Sequence, residues 1–372
     1  MKIAFISTIL GYPWGGADTL WTHAAEAAAK RGDTLLLSIS ARVANHPRIR
    51  ALQAAGASLH LRQQPQGPSL FTRIRRKCGW TDNPDASLSR ALARFRPDRV
   101  VISQGGTYDL LSHLQLVGQL HSTGIPYRVI ANWQQEHPSL PEADLRSIRE
   151  VLTGAEDVFF VSARNLLVTR RHLLHPLPRA RVLHNPLRWQ PSDTSPWPES
   201  DVGRLATVSR LEENKGVHLL LHALAELGTG LPAWQLTIHG DGPARSSLEA
   251  ITRALGLQAR VKFAGYVANL KCIWATQQLL CAPAIDDGVP MTIPEAMMCE
   301  RPVLSTCVGG AEDWLRDNRT GFLCPAPTVP LLADTLRRAL TARDTWKTMG
   351  TAAAASAKAH YRPDDFRALI ET

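Results

Sequence analysis

The chain is expected to fold as an α/β protein with two Rossmann-like, doubly wound parallel-sheet domains facing each other across a cleft. Three observations carry that expectation. Short apolar runs of strand length alternate with helical runs along nearly the whole sequence. Glycine-bearing loops follow several of the apolar runs directly, as the strand-to-helix turns of a doubly wound unit require. A Pro/Ser-rich segment at 185–200 (NPLRWQPSDTSPWPES) breaks the alternation, which then starts afresh. The 372 residues also exceed the roughly 100–200 of one ordinary domain.

In the first half, an apolar strand from Lys2 to Ser7 leads through the loop Thr8 to Gly16 into a helix ending near Arg31. A strand at Thr34 to Ile39, a helix at Pro47 to Ala55 and a strand at Ser58 to Leu61 follow. After a basic excursion the pattern resumes with helix Asp85 to Phe95, strand Arg99 to Ser103, helix Tyr108 to Ser122 and strand Tyr127 to Ala131. Helix Glu142 to Leu152, strand Asp157 to Ser162, helix Arg164 to Leu174 and strand Arg181 to His184 complete this half.

The second half reads strand Arg204 to Val208, helix Val217 to Leu227, strand Gln235 to His239, helix Arg245 to Leu255, strand Arg260 to Ala264 and helix Leu270 to Thr276. Strand Leu279 to Ala282, a loop, a short helix bearing Glu295 and strand Pro302 to Thr306 come next, and helices from Val329 onward end the chain. The expected division is a first domain at 1–187, a linker at 188–202, a second domain at 203–358 and a helix at 359–372 that returns to the first domain. Ligands of such sheets gather at the carboxyl ends of the strands.

Hydrophobic residues, at 44%, suffice for two cores. The net charge of +9 suits an anionic substrate, an acidic membrane surface or nucleic acid. The cationic residues form no single stripe with a nucleic-acid motif, which argues against a nucleic-acid partner. The six cysteines, at 78, 272, 281, 299, 307 and 324, show neither a CxxC pair nor a nearby histidine at ligand spacing. Neither a metal site nor a disulfide framework is expected, and reduced thiols favour the cytoplasm. MKIAFISTIL has one lysine and a short apolar run without a small-x-small cleavage site, so it reads as a buried strand rather than a signal peptide. No stretch reaches the roughly 18 apolar residues of a membrane span.

The densest chemistry lies between Cys281 and Val308, CAPAIDDGVPMTIPEAMMCERPVLSTCV. The start of a helix leaves N–H groups unpaired and carries the positive end of its dipole, which favours an anion at Gly288, Val289, Pro290 and Met291. Asp287 and, eight residues on, Glu295 flank that positive loop with carboxylates able to accept from hydroxyl groups, a layout that a sugar nucleotide fits. The bland alternative is a solvated turn at Asp286 and Asp287 and a surface charge at Glu295.

Other loops add candidates. Gly15-Gly16 sits in the first strand-to-helix loop, but GYPWGGADTL lacks the GxGxxG dinucleotide fingerprint. Gly16 either lets a phosphate or sugar approach the backbone or serves a tight turn with positive φ. Arg210 and Lys215, in RLEENKG, follow the strand that opens the second half, and two cations can share the charge of a diphosphate leaving group. Gly240, in HGDGP, is read as clearing room for a ligand, while Tyr266 and Val267 can border a nucleobase; structural turns account for both equally well.

In this order the segments closely resemble the family-four retaining glycosyltransferases of the GT-B fold. The resemblance rests on Gly15-Gly16, on Arg210 with Lys215-Gly216, on GDGP at 240–243, on FAGYV at 263–267 and on the loop at 281–308. It implies an acceptor domain at 1–187 and a nucleotide-sugar donor domain at 203–358. In that family the Arg and Lys of R-x4-K-G bind the donor diphosphate, the last Glu of E-x7-E holds the ribose and the first contacts the sugar. By position these are Arg210, Lys215, Glu295 and Asp287. Two departures stand out. Asp287 is one methylene shorter than the usual Glu. Where the family often carries a histidine after the strand that here ends RVIANWQQEH, this chain has Asn132, Trp133 and Gln134, with His137 a few residues later. Asn132 and His137 are therefore the candidates on the acceptor side.

The resemblance implies a hexosyltransferase that moves a hexose from a nucleotide-diphosphate sugar to a hydroxyl of a sugar or glycolipid acceptor, in polysaccharide or glycoconjugate synthesis. It further implies front-face displacement without cofactor or metal. The basic excursion Arg62 to Trp80 (RQQPQGPSLFTRIRRKCGW) sets arginines beside Phe71 and Trp80, which suits peripheral contact with an anionic membrane on its cytoplasmic side as well as a solvated loop. A sugar-nucleotide epimerase and a non-catalytic nucleotide- or sugar-binding protein are the competing readings.

Overall fold

The structure, a computed structural model, describes residues 1–10, 14–62, 85–136, 140–189, 191–228 and 230–371. It divides into two compact units, one made of Met1–Pro186 with Pro363–Thr372 and the other of Leu187–Arg362.

The first unit holds a seven-stranded sheet of order β3-β2-β1-β4-β5-β6-β7. Its strands are β1 (Lys2–Ser7), β2 (Thr34–Ser40), β3 (Ser58–Arg62), β4 (Arg99–Gly106), β5 (Tyr127–Trp133), β6 (Asp157–Phe160) and β7 (Ala180–Val182). Every pairing is parallel. Parallel strands covered on both faces must be apolar nearly throughout, and β1 (KIAFIS) is buried at all positions after Lys2. The helix expected at Tyr108 to Ser122 is split into a 3-10 turn at Asp109–His113 and an α-helix at Leu114–Thr123. Its first turn is tied back to the sheet: Leu110 N donates to Gln104 Oε1 at 2.9 Å, and the Asp109 carboxylate accepts from Thr8 Oγ1 at 2.7 Å and from Gly105 N at 3.0 Å.

The terminal segment is part of this unit. Rather than a helix over 359–372, it forms a 3-10 turn at Asp365–Leu369. Arg128 donates to Ala368 O at 2.8 Å and Arg99 to Glu371 O at 3.1 Å, while Leu369 and Ile370 are buried.

The second unit holds a six-stranded sheet of order β10-β9-β8-β11-β12-β13. Its strands are β8 (Gly203–Val208), β9 (Trp234–His239), β10 (Val261–Gly265), β11 (Leu279–Ala282), β12 (Val303–Thr306) and β13 (Gly321–Cys324), again all parallel. One cluster, including Leu205, Leu236, Leu304 and Trp346, covers one face, and another, including Ala206, Leu280, Met297 and Trp314, covers the other. The order in which successive strands are added reverses between β8 and β11, the point at which open α/β sheets bind ligands.

The segment read as a linker at 188–202 is packed into this unit. Fully buried Arg301 donates to Pro196 O at 2.9 Å and to Cys299 O at 2.8 Å, and its guanidinium lies 5.3 Å from the centre of the Trp197 ring. Prolines set the local course of this segment, and buried Ser195 and the carbonyls of Ser195 and Pro196, held by Arg301, tie it to the unit.

Candidate functional site

The loop after β11 is fixed from several sides. Thr306 Oγ1 donates to Ala284 O at 2.6 Å, Ile285 N to Asn214 O at 2.8 Å and Gly310 N to Gly288 O at 2.9 Å. The loop enters the helix Thr292–Met298, with Gly288 and Pro290 buried and Val289 and Met291 half-buried. Among the described residues the main-chain N–H groups of Gly288, Val289 and Met291 donate to no acceptor. They form a short row of donors at the switch point of the sheet.

The Asn214 contacts pin the turn Glu213–Lys215 against this loop. Gly216 makes the approach possible: its φ is +66°, and a Cβ there would lie 1.9 Å from Pro283 O. Lys215 is thereby carried to Asp287, with Nζ 2.6 Å from Oδ2 and both side chains mostly buried. Arg210, on the same connection, is half exposed and pairs with Glu212 at 3.1 Å.

Glu295 is not a surface charge. Its side chain is 1% exposed, and both oxygens are gripped by Arg188, through Nε at 3.0 Å and Nη2 at 2.9 Å. The Arg188 side chain itself is 54% exposed. Hydrogen bonding to Glu295 raises its pKa further, so it stays cationic. Nothing in the sequence marked Arg188, because it lies in the Pro/Ser-rich stretch where an arginine reads as solvated.

Gly240 does not clear space for a ligand. Its φ is +136°, and a Cβ would fall 1.8 Å from Ser209 O, so the room it leaves is filled by the backbone after β8. Tyr266 is 73% exposed at the end of β10, whereas Val267 packs on the apolar cluster below. His239, at the end of β9, is buried with both ring nitrogens unpartnered among the described residues, and burial lowers its pKa.

In the first unit, Gly15 caps the helix Gly16–Lys30 with extended backbone, φ −149°. Its N–H donates to Asp18 Oδ2 at 3.1 Å, and Gly16, the first residue of that helix, does not have the positive φ of a tight turn. Burial raises the pKa of Asp18. Asn132 is buried and spends its amide on Ser103 Oγ, at 3.2 Å, and Gln104 O, at 2.6 Å, so it is a sheet-end tie between β5 and β4. His137 lies outside the described residues.

Arg62, the first residue of the basic excursion, faces inward. It donates to Ser7 O at 2.9 Å and lies 3.7 Å from Asp85, so it is not available to a membrane; the rest of the excursion to Trp80 lies outside the described residues. Among the described residues, Cys272, Cys281, Cys299, Cys307 and Cys324 are free thiols and no group of three or more His, Cys, Asp or Glu side chains could hold a metal ion. No described helix is long and apolar enough to cross a membrane.

Residues 197–356 match the sequence model of the glycosyl transferases group 1. The match falls within the second unit. Among curated relatives, alpha-D-kanosaminyltransferase of Streptomyces kanamyceticus is 32% identical over 135 residues, 36% of this chain and 35% of that protein. N-acetyl-alpha-D-glucosaminyl L-malate synthase of Bacillus anthracis is 26% identical over 168 residues, 45% of this chain and 44% of that protein. The chain thus spans between about a third and under half of the length of the curated relatives it matches. The structural likeness extends further. HepE of Anabaena, solved with UDP-glucose, superposes with a TM-score of 0.73 at 18% identity, covering 100% of this chain and 98% of that one. The lipopolysaccharide outer core galactosyltransferase WaaB superposes with a TM-score of 0.70 at 19% identity, covering 99% and 97%. The fold is that of the GT-B glycosyltransferases.

Proposed function

We propose that the chain is a retaining glycosyltransferase that moves a hexose from a nucleotide-diphosphate sugar to a hydroxyl of a sugar or glycolipid acceptor. The observation that carries this reading is the pairing of Lys215 with Asp287 beside the free N–H row at 288–291. A cation next to a row of donors suits an anionic leaving group, and a carboxylate beside that cation suits a sugar hydroxyl.

In this reading Lys215, Arg210 and the loop N–H groups take up the charge that grows on the diphosphate as its bond to the anomeric carbon breaks. Asp287 exchanges part of its contact with Lys215 for a hydroxyl of the sugar. The acceptor oxygen forms its bond on the face that the diphosphate leaves, and its proton passes to the departing phosphate oxygen. Side-chain cations and backbone donors then meet the charge without a metal.

Screening UDP-, GDP- and ADP-sugars for transfer to sugar acceptors tests the activity. Conversion of donor in the absence of any acceptor, without net transfer, would identify an epimerase instead. Binding of the donors without turnover to either product would leave a binding protein.

A further inference from the structure

Between Ala163 and Arg181 the chain carries five arginines and no Asp or Glu. Arg164 pairs with Glu136 and Arg181 with Asp157, which leaves Arg170, Arg171 and Arg179 without an acidic partner among the described residues. Arg170 and Arg171 lie in the last turn of the helix Ala163–Leu173, where cations also suit the helix dipole. The leucines beside them have no such local explanation. Leu167 is 47% exposed and Leu174 is 86% exposed. They are seven positions apart, two turns of helix, so they emerge on one side with Arg171 between them. Leu174 also holds the left-handed backbone that closes the helix, at φ +47°, a conformation glycine adopts most easily. Leu177 has a similar φ of +44°, but its side chain is buried in the core of the first unit. Burial offsets the strain at Leu177, whereas the exposed side chain of Leu174 gains no such compensation.

The turn that follows the helix borders a cavity of about 230 Å³. Its walls are the apolar side chains of Leu152, Val158, Leu177 and Pro178, with His175 and Arg179 at the same hollow. We propose that the helix Ala163–Leu173 and the turn to Arg179 form a docking surface for an anionic phospholipid bilayer. Leu167 and Leu174 enter the level of the acyl chains, and Arg170, Arg171 and Arg179 reach back to the lipid phosphates along their own apolar stems. The cavity gives an acyl chain an apolar wall beside Arg179. Charge decides the kind of partner: arginines without acidic partners, set around exposed leucines, complement a surface that is densely negative outside and apolar just beneath. This surface is separate in sequence from the excursion Arg62 to Trp80, and it does not depend on the sugar-transfer reading.

Co-sedimentation of the full chain with vesicles of phosphatidylglycerol and phosphatidylcholine, and with vesicles of phosphatidylcholine alone, tests the proposal. The wild-type chain should bind the mixed vesicles, bind the neutral ones far more weakly, and release the mixed ones as salt rises. Arg171→Gln is expected to weaken binding about fivefold, the share of one basic residue at a charged surface. Leu174→Gly is the decisive variant, because it removes the exposed side chain and relaxes the backbone together. Binding should fall about fivefold or more while the thermal midpoint hardly moves, and adding Leu167→Ser should weaken binding further. A wild-type chain that ignores the mixed vesicles overturns the proposal, as does one that binds neutral vesicles equally well. Variants that bind as tightly as the wild type overturn it too. A concentration-dependent dimer that Leu174→Gly dissolves would mean that a second copy covers the leucines, which also overturns the bilayer as partner.

Discussion

Lys215 Nζ and Asp287 Oδ2 lie 2.6 Å apart although the residues are 72 positions distant in the chain. The pair joins the loop after β8 to the loop after β11, the strands on either side of the sheet's switch point. Lys215→Ala is expected to lower kcat/KM for sugar transfer by about a hundredfold or more, as removal of a preorganised charge does. Asp287→Asn should cost less, because the amide still accepts from a hydroxyl. Transfer at the wild-type rate by a folded Lys215→Ala chain would exclude the proposed role.

Gly240 is the substitution that should separate folding from function. Gly240→Ala places a methyl group against Ser209 O at a φ of +136°, and strain together with overpacking should cost on the order of 3 kcal/mol. Chemical denaturation of the purified chain measures it. A change of less than about half a kcal/mol would mean that the loop after β8 yields freely.

Arg301 offers a second stability test away from the site. It is fully buried, donates to the carbonyls of Cys299, Pro196 and Gln277, and burial pushes its pKa down to about 10. Arg301→Ala leaves those carbonyls unpaired and opens a cavity, at a cost of about 3 kcal/mol or more. Calorimetry should show that loss, with the 188–202 segment becoming susceptible to limited proteolysis.

Acid should destabilise the chain through its histidines. Burial lowers the pKa of His23, His60 and His239 below the ordinary 6.5. A depressed histidine pKa means that the unfolded chain binds more protons below pH 6.5, so stability is retained above that value and falls as pH decreases from it. Thermal melts between about pH 7.5 and 5 measure this slope, and His239→Gln should reduce it. An unchanged slope in that variant would show that His239 does not titrate with unfolding.

Metal chelation gives a further expectation. EDTA should leave the rate of sugar transfer unchanged if, as proposed, Arg210, Lys215 and the backbone donors supply the positive charge. A rate that collapses with EDTA and returns with a divalent cation would contradict this mechanism.

The fold was largely legible because both sheets are buried on two faces, which turns strands such as β1 and β11 into short uninterrupted apolar runs. β13 escaped notice: four residues that begin with glycine, GFLC, are too short to carry a period. Lys215 and Asp287 were legible as separate motif positions, but their contact was not, since it depends on Asn214 and Gly216 drawing two loops together. Arg188 left no trace in the pattern. A proline-rich neighbourhood describes how the backbone turns, whereas the partner of Arg188 is a carboxylate 107 residues away.

The terminal segment that returns to β4 and β5 makes the first unit discontinuous, with the whole second unit inserted between Pro186 and Pro363. During synthesis, the first unit therefore cannot bury Leu369 and Ile370, or satisfy the Arg99 and Arg128 donors on the terminal carbonyls, until the second unit has been made. The unit begun first is the one finished last. A ribosome-bound chain stopped at Arg362 would carry a complete second unit beside a first unit still open at the base of its sheet.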